Sequence, residues 1–315
     1  MAIAPAVPNL ESPFGSLRIW RWRGWRVRYT FLPAATPEAA QNSPILLLHG
    51  FGASLQQWRS NLVALSQYHP VYAIDLIGFG GSQKAAIAFS TDLWVEQIYD
   101  FWQAFIGQPI ILLGHSLGAL VALTAAVKHP EMAARLVMLT LPAARQELLS
   151  GWAGAIASRI ETWFSSSLLT RLIFKIFRQP SVIRKTLQNL YQVAERVDDE
   201  IVEQFVAPTG DRGAARTLCY LVQSRTDPAF SAATQQMIPQ LQMPTLLLWG
   251  TSDRVIPLTW GQKVAPLSDR VTLVEIPDAG HYLYDEYPDE INQRILNWQS
   301  TLIIAQQDLI DVSSS

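Results

Sequence analysis

The chain is short of charge and has almost no cysteine. Charged residues make up 16% of its 315 positions, against roughly 25% in an ordinary soluble protein. The two signs nearly cancel, with 24 Lys and Arg against 26 Asp and Glu and a net charge of −2. No global positive field exists to gather phosphates, which argues against nucleic acid as a partner. The single cysteine, Cys219, rules out an internal disulfide and a cysteine-built zinc site, and suits a reducing compartment. The amino terminus, MAIAPAVPNLESPF, has neither a basic leader nor a long apolar stretch, so no secretory signal is expected and a cytoplasmic location is. What the chain has in plenty is apolar. It is 49% hydrophobic and carries eleven Trp, which excludes a disordered, solvating polymer.

One apolar run invites misreading. Ile110 to Val127, IILLGHSLGALVALTAAV, is free of formal charge and long enough to span a bilayer. Glycines, a His and a Ser interrupt its middle, however. Its first part is rich in branched aliphatics and its second in Ala and Leu, so a buried strand, a sharp turn and a helix are expected.

The same strand–helix rhythm organises most of the chain. LRIWRWRGWRVRYTFL at 17–32 alternates apolar and basic residues around Gly24, predicting a hairpin with one face of each kind. Short apolar runs then recur at Ile45–Leu48, Val71–Ile74, Ile110–Leu113 and Leu136–Leu139, and return at Thr245–Trp249 and Val271–Ile276. Helix-like segments lie between them at Leu55–Tyr68 and Thr91–Ile106, the latter capped by Ser90 or Thr91, and a last one starts near Pro288. The fold class is α/β: a mostly parallel sheet with helices on both faces. From 142 to 242 no buried-strand run occurs, only helix-like stretches at Trp152–Phe177, Ser181–Glu195, Asp198–Phe205 and Gly213–Val222. The expected organisation is therefore a tail at 1–16, a core at 17–141 and 243–303, a helical cap inserted at 142–242, and a tail at 304–315.

Gly114-His115-Ser116-Leu117-Gly118 is G-x-S-x-G between a strand and a helix, the context in which that motif places a nucleophilic serine on a tight turn. Small residues on either side let strand and helix approach, and the helix start leaves free N–H groups for a developing oxyanion. A serine needs a base, and the base an orienting carboxylate. Of the five histidines, His69 and His129 precede prolines at the opposite edge of the sheet, and His115 is expected to point away from the turn. His281, in Asp278-Ala279-Gly280-His281, follows the last strand run and is the candidate base. His49 is expected to brace its loop. Asp253, after the Thr245–Trp249 run, is the candidate acid, because the rival position after Thr140 reads Leu141-Pro142-Ala143-Ala144 without a carboxylate. The backbone N–H groups of Phe51, in His49-Gly50-Phe51-Gly52, and of Leu117 are the expected oxyanion donors. Asp75, with Gly78 and Gly80, is read as a turn that seats a loop.

These residues carry a resemblance. HGFG at 49, DLIGFGGS at 75, GHSLG at 114, the Asp of WGTSDRVIP and the His of DAGH occur in the order found in the α/β-hydrolase superfamily, over residues 17 to 303. The resemblance implies the roles of nucleophile, acid and base for Ser116, Asp253 and His281, and no metal or other cofactor. Ala119 departs from the second glycine of many relatives. Serine at the nucleophile position argues against dehalogenase or epoxide hydrolase chemistry, where relatives use Asp. W-x-W-R-G at 20–24, YAIDLIGFGGS and VDDEIVEQFVAPTG at 197–210 resemble the cyanobacterial and plastid branch that includes pheophytinase and chlorophyll dephytylase. That implies a serine esterase acting on a bulky apolar ester, such as the phytyl ester of a chlorophyll-type pigment. Open beside it stand a thioesterase, a C–C hydrolase, a perhydrolase and a non-catalytic lipid- or pigment-binding relative.

In the insertion, Trp152, Ile156, Ile160, Trp163, Phe164 and Leu168 recur at helical steps, and Trp152, Trp163 and Phe164 are candidate substrate contacts. LTRLIFKIF at 169–177 carries Arg171 and Lys175 four apart. Two readings stand: a cap helix over the site, and a basic amphipathic lid making peripheral contact with a membrane, thylakoid if the pigment ester is the substrate.

Overall fold

A computed structural model describes residues 14–148, 173–225 and 227–313. The predicted stripe from Trp152 to Leu168, with the candidate contacts Trp152, Trp163 and Phe164, lies outside the described residues. The described chain forms one eight-stranded sheet in the order β1-β2-β4-β3-β5-β6-β7-β8. Its strands are β1 (Arg18–Trp22), β2 (Trp25–Leu32), β3 (Ile45–Leu48), β4 (Val71–Ile74), β5 (Ile110–His115), β6 (Ala133–Leu139), β7 (Thr245–Gly250) and β8 (Val271–Ile276). β3 to β8 run parallel. The hairpin is antiparallel and joins the sheet through β2 against β4.

The continuous apolar strands β3, β5 and β7 are buried along their whole length, because helices cover both faces. Alternate side chains supply two separate cores. Leu46 and Leu48 pack with α2 (Thr91–Phe105) and α3 (Leu117–Lys128) on one face, and Ile45 and Leu47 with α1 (Leu62–Ser66) and α8 (Pro288–Ser313) on the other. β8 is an edge strand, and its exposed Thr272 and Glu275 discourage pairing with another chain. Between β6 and β7 the labelled helices of the described chain are α4 (Pro180–Leu190), α5 (Asp199–Val206) and α6 (Ala214–Arg225). Another, α7 (Leu258–Val264), follows β7.

The hairpin departs from its simple alternation. Trp22 is buried and its Nε1 donates to Asp100 Oδ2 at 2.7 Å, while Trp20 packs edge-on to Phe101 and Phe105. The rings thus cover α2. Ile19 faces outward, and Arg28 turns inward to the buried Asp75, so the basic face is incomplete.

Two predicted helices are shorter than their patterns, for one shared reason. Leu55–Tyr68 breaks into a 3-10 turn at Leu55–Trp58 and α1, and Ser181–Glu195 stops at Leu190. Both breaks bring polar groups to Asp285, whose side chain is fully buried. Its carboxylate accepts from Arg59 Nε and Nη2, both at 3.1 Å, from Ser60 Oγ at 3.0 Å, from Tyr191 Oη at 3.2 Å and from Arg196 Nη2 at 3.3 Å. Burial works against the Arg59 charge, but its bonds to Asp285 and Asp198 outweigh that and hold its pKa above the ordinary value. The neighbouring Glu286 accepts from the backbone N–H groups of Gln192, Val193 and Gly280. The Gln192 and Val193 amides follow the end of α4 and would otherwise have continued it. The inserted segment is thereby clamped to the core.

Replacing one partner of a buried charge cluster strands the other. Asp285→Ala is therefore expected to destabilise the chain by about 3–5 kcal/mol in urea unfolding; a loss below about 1 kcal/mol would remove the clamp from this account. A second expectation concerns acid. Burial, the largest cause for each, pushes the pKa values of His49, His69 and His115 below the ordinary 6.5, so all three stay neutral when folded and take up protons on unfolding. Their contribution is complete above pH 6.5 and is lost as pH falls toward the folded values, by up to about 1.4 kcal/mol per pH unit for each histidine. Calorimetry in buffers of different ionisation enthalpy should show proton uptake on unfolding near pH 6, and no uptake would contradict it.

Candidate active site

Strand β5 ends at His115, the chain reverses at Ser116, and α3 begins at Leu117. Ser116 has φ 51° and ψ −115°, a conformation that costs a non-glycine residue about 1–3 kcal/mol. Neighbours hold it there: its N–H donates to Leu139 O at 2.9 Å and its carbonyl accepts from Leu120 N at 3.1 Å. The turn is tight enough that a Cβ on Gly114 would lie 2.2 Å from Gly118 O, and one on Gly118 2.2 Å from Leu48 O. Only glycine permits that approach. Ala119 is fully buried in the first turn of α3. The apolar run 110–127 is thus a strand, a turn and a helix, and no helix among the described residues is long and apolar enough to cross a membrane.

Asp253 and His281 come together from the loops after β7 and β8. His281 Nδ1–H donates to Asp253 Oδ2 at 2.8 Å, and both side chains are buried. The other carboxylate oxygen, Oδ1, accepts from Val255 N at 2.7 Å and Ile256 N at 2.9 Å. With the proton on Nδ1, the Nε2 lone pair of His281 is the one left to accept.

His115 does more than the sequence reading allowed. Its Nε2–H donates to the His281 backbone carbonyl at 3.0 Å, and the two ring centroids are 4.7 Å apart. The residue before the candidate nucleophile therefore holds the loop of the candidate base. Burial first, then the proximity of His281, pushes its pKa well below 6.5, so it remains a neutral donor. Among the described residues its buried Nδ1 has no hydrogen-bond partner, and it lies against Gly50, where a Cβ would approach it to 2.8 Å. No local pattern advertises this role, since the partner carbonyl is 166 residues away.

The loop after β3 is held from two sides. His49 Nδ1–H donates to Gly50 O at 2.8 Å, and its Nε2 accepts from Leu76 N at 3.0 Å. Gly50 N donates to Gln57 Oε1 at 3.0 Å. Asp75, after β4, accepts from Leu55 N at 2.6 Å and Gly81 N at 2.7 Å, so it seats the loops as a structural acid. Among the described residues, neither the Phe51 nor the Leu117 N–H donates to another protein group. The Phe51 ring leans on Phe79, with the Arg225 guanidinium 5.5 Å from its centroid. Among the described residues no three His, Cys, Asp or Glu side chains group to hold a metal ion.

Comparison with known proteins agrees with this architecture. The chain is 24% identical over 268 residues to the 2-hydroxy-6-oxo-6-(2'-aminophenyl)hexa-2,4-dienoic acid hydrolase of Metapseudomonas resinovorans, spanning 84% of this chain and 86% of that one. It is 23% identical over 292 residues to the chloroplastic pheophytinase of Arabidopsis thaliana, spanning 81% of this chain and 60% of the pheophytinase. A solved meta-cleavage product hydrolase from Pseudomonas fluorescens IP01 superposes with a TM-score of 0.73 at 20% identity, covering 90% of this chain and 98% of that one, a likeness of fold. Residues 43–288 match the profile of the alpha/beta hydrolase fold, and the chain belongs to that family of hydrolases.

Proposed function

We propose that this chain is a serine carboxylic-ester hydrolase working through an acyl-enzyme on a bulky apolar ester. One observation carries the reading: Ser116 stands at positive φ at the head of α3, and the residue before it, His115, bonds the backbone of a His281 whose ring is already oriented by Asp253. In the proposed reaction His281 Nε2 takes the Ser116 proton as Oγ attacks the ester carbonyl carbon. The N–H groups of Phe51 and Leu117 receive the oxyanion, each such donor being worth about a hundred- to thousandfold in turnover. Collapse breaks the C–O bond, and His281 gives its proton to the departing alcohol. Water, deprotonated by His281, then attacks the acyl carbon and releases the acid and Ser116. A neutral His115 suits this cycle, because a second imidazolium beside His281 would oppose the charge that His281 must accept.

The insertion at 142–242 is assigned the choice of substrate, as a cap over the site. The resemblance to the pheophytinase branch, with the similarity to the Arabidopsis thaliana protein, favours the phytyl ester of a chlorophyll-type pigment. The similarity to the Metapseudomonas resinovorans hydrolase favours a second reading, hydrolysis of a C–C bond by the same three residues.

A panel of short p-nitrophenyl esters, long-chain esters, pheophytin and a ring-opened dienoic acid separates these readings. Turnover of the esters is expected and the dienoic acid should be inert; the reverse would replace the first reading by the second. Ser116→Ala should lower kcat by at least about a thousandfold with an unchanged circular dichroism spectrum, and substantial remaining esterase activity would overturn the assignment. His115→Leu should cost about a hundredfold in kcat with little change in KM, while His115→Gln, which keeps a donor for the His281 carbonyl, should recover most of it. Full kcat in His115→Leu would contradict the positioning role.

A further inference from the structure

Outside the candidate active site, positive charge gathers where the overall composition does not predict it. A groove of about 690 Å³ opens between residues 174–178 and the turn leading into α6, with Lys175, Arg178, Arg212 and Arg216 in its wall. All four are exposed. Among the described residues of that wall the one carboxylate, Asp211, is engaged by Lys84 Nζ at 3.0 Å. Among the described residues, none of the four cations is paired with a carboxylate. In a chain with a net charge of −2, this is a local excess of four unmatched positive charges.

Apolar side chains stand beside these cations. Ile176 and Phe177 are 55% and 56% exposed, and Tyr220, one turn beyond Arg216 on α6, is also exposed. The opposite face of α6 is fixed to the core, where the buried Thr217 Oγ1 donates to Ala85 O at 3.0 Å. The groove is thus mounted on a rigid element. A free anion would use the cations but has no use for exposed Ile and Phe. A phospholipid surface uses both, because cations meet headgroup phosphates while neighbouring apolar side chains enter the acyl boundary.

We propose that this face docks the protein on an anionic phospholipid membrane. Lys175, Arg178, Arg212 and Arg216 take the headgroup phosphates, Ile176 and Phe177 insert below them, and Tyr220 sits at headgroup level. Along α6, Arg216 lies nine residues from Arg225, about 14 Å at 1.5 Å per residue, and Arg225 overlies Phe51 at the candidate active site. Docking therefore holds that site close to the membrane plane. That an apolar ester enters from the bilayer rests on the esterase reading above; the docking itself does not.

Flotation of the intact chain with two vesicle compositions tests this, one of phosphatidylcholine alone and one with a third of phosphatidylglycerol. Flotation is expected with the anionic vesicles at 50 mM salt, with little on phosphatidylcholine and a marked loss at 500 mM salt, where surface charge is screened. Each cation should be worth about fivefold in partitioning, so K175E/R178E/R212E/R216E should lose binding by at least about a hundredfold. I176S/F177S should weaken binding at low salt as well. Both variants should keep an unchanged circular dichroism spectrum and the wild-type rate on a short soluble ester, and their flotation can be read even if no ester is turned over. Absence of wild-type flotation on anionic vesicles, equal flotation of the charge-reversed variant, or full displacement by millimolar inorganic phosphate would each overturn the proposal, the last by revealing a site for a soluble anion.

Discussion

At Gly118 the backbone of α3 lies so close to β3 that a Cβ would meet Leu48 O at 2.2 Å, and the rest of the candidate site follows from that approach. With α3 pressed onto the sheet, the chain has no relaxed route from β5 into the helix, so Ser116 takes a φ of 51°. The strain places its side chain at the carboxyl edge of the strands, with the first free N–H of α3 beside it. The loops after β3, β7 and β8 end at the same edge because those strands run parallel to β5 in the same sheet. The candidate oxyanion donors, acid and base are therefore carried to one edge from segments far apart in sequence.

Convergence alone would leave these three loops loose, and buried polar side chains hold them. Asp75 and His49 fix the loop after β3, two backbone amides fix Asp253, and His115 holds the carbonyl of His281. Glu286 joins the His281 loop to the inserted segment through Gly280, Gln192 and Val193. Each of these groups has its partners in place before any substrate arrives, as electrostatic preorganisation requires. His115 contributes as a neutral donor, since burial keeps it uncharged.

What the sequence made legible was whatever repeats locally. Six strands of the sheet announce themselves as short apolar runs, and Ser116, Asp253 and His281 stand out as candidates because each follows such a run. The limits have the same origin. Arg59 and Asp285 are 226 residues apart and Tyr191 and Asp285 are 94 apart, so nothing near Leu55–Tyr68 or Ser181–Glu195 signals that these helices must break to reach a shared carboxylate. Arg28 looked like part of a solvated basic face until its partner Asp75 was brought beside it by the pairing of β2 with β4. His115 was set aside because its neighbour in sequence was known and its neighbour in space was not.

The low charge content also divides into two kinds. β3, β5, β7 and α3 carry hardly any charge because they are buried almost throughout; the exposed Ile176 and Phe177 need a different explanation and are assigned a membrane. The central claim remains that Ser116 is an activated nucleophile. Incubation of the intact chain with a fluorophosphonate probe, followed by peptide mass spectrometry, tests it most directly. One covalent phosphonyl adduct is predicted, on the peptide containing Ser116, with none in Ser116→Ala. An unmodified Ser116, or labelling of Ser116→Ala at the wild-type rate, would contradict the account.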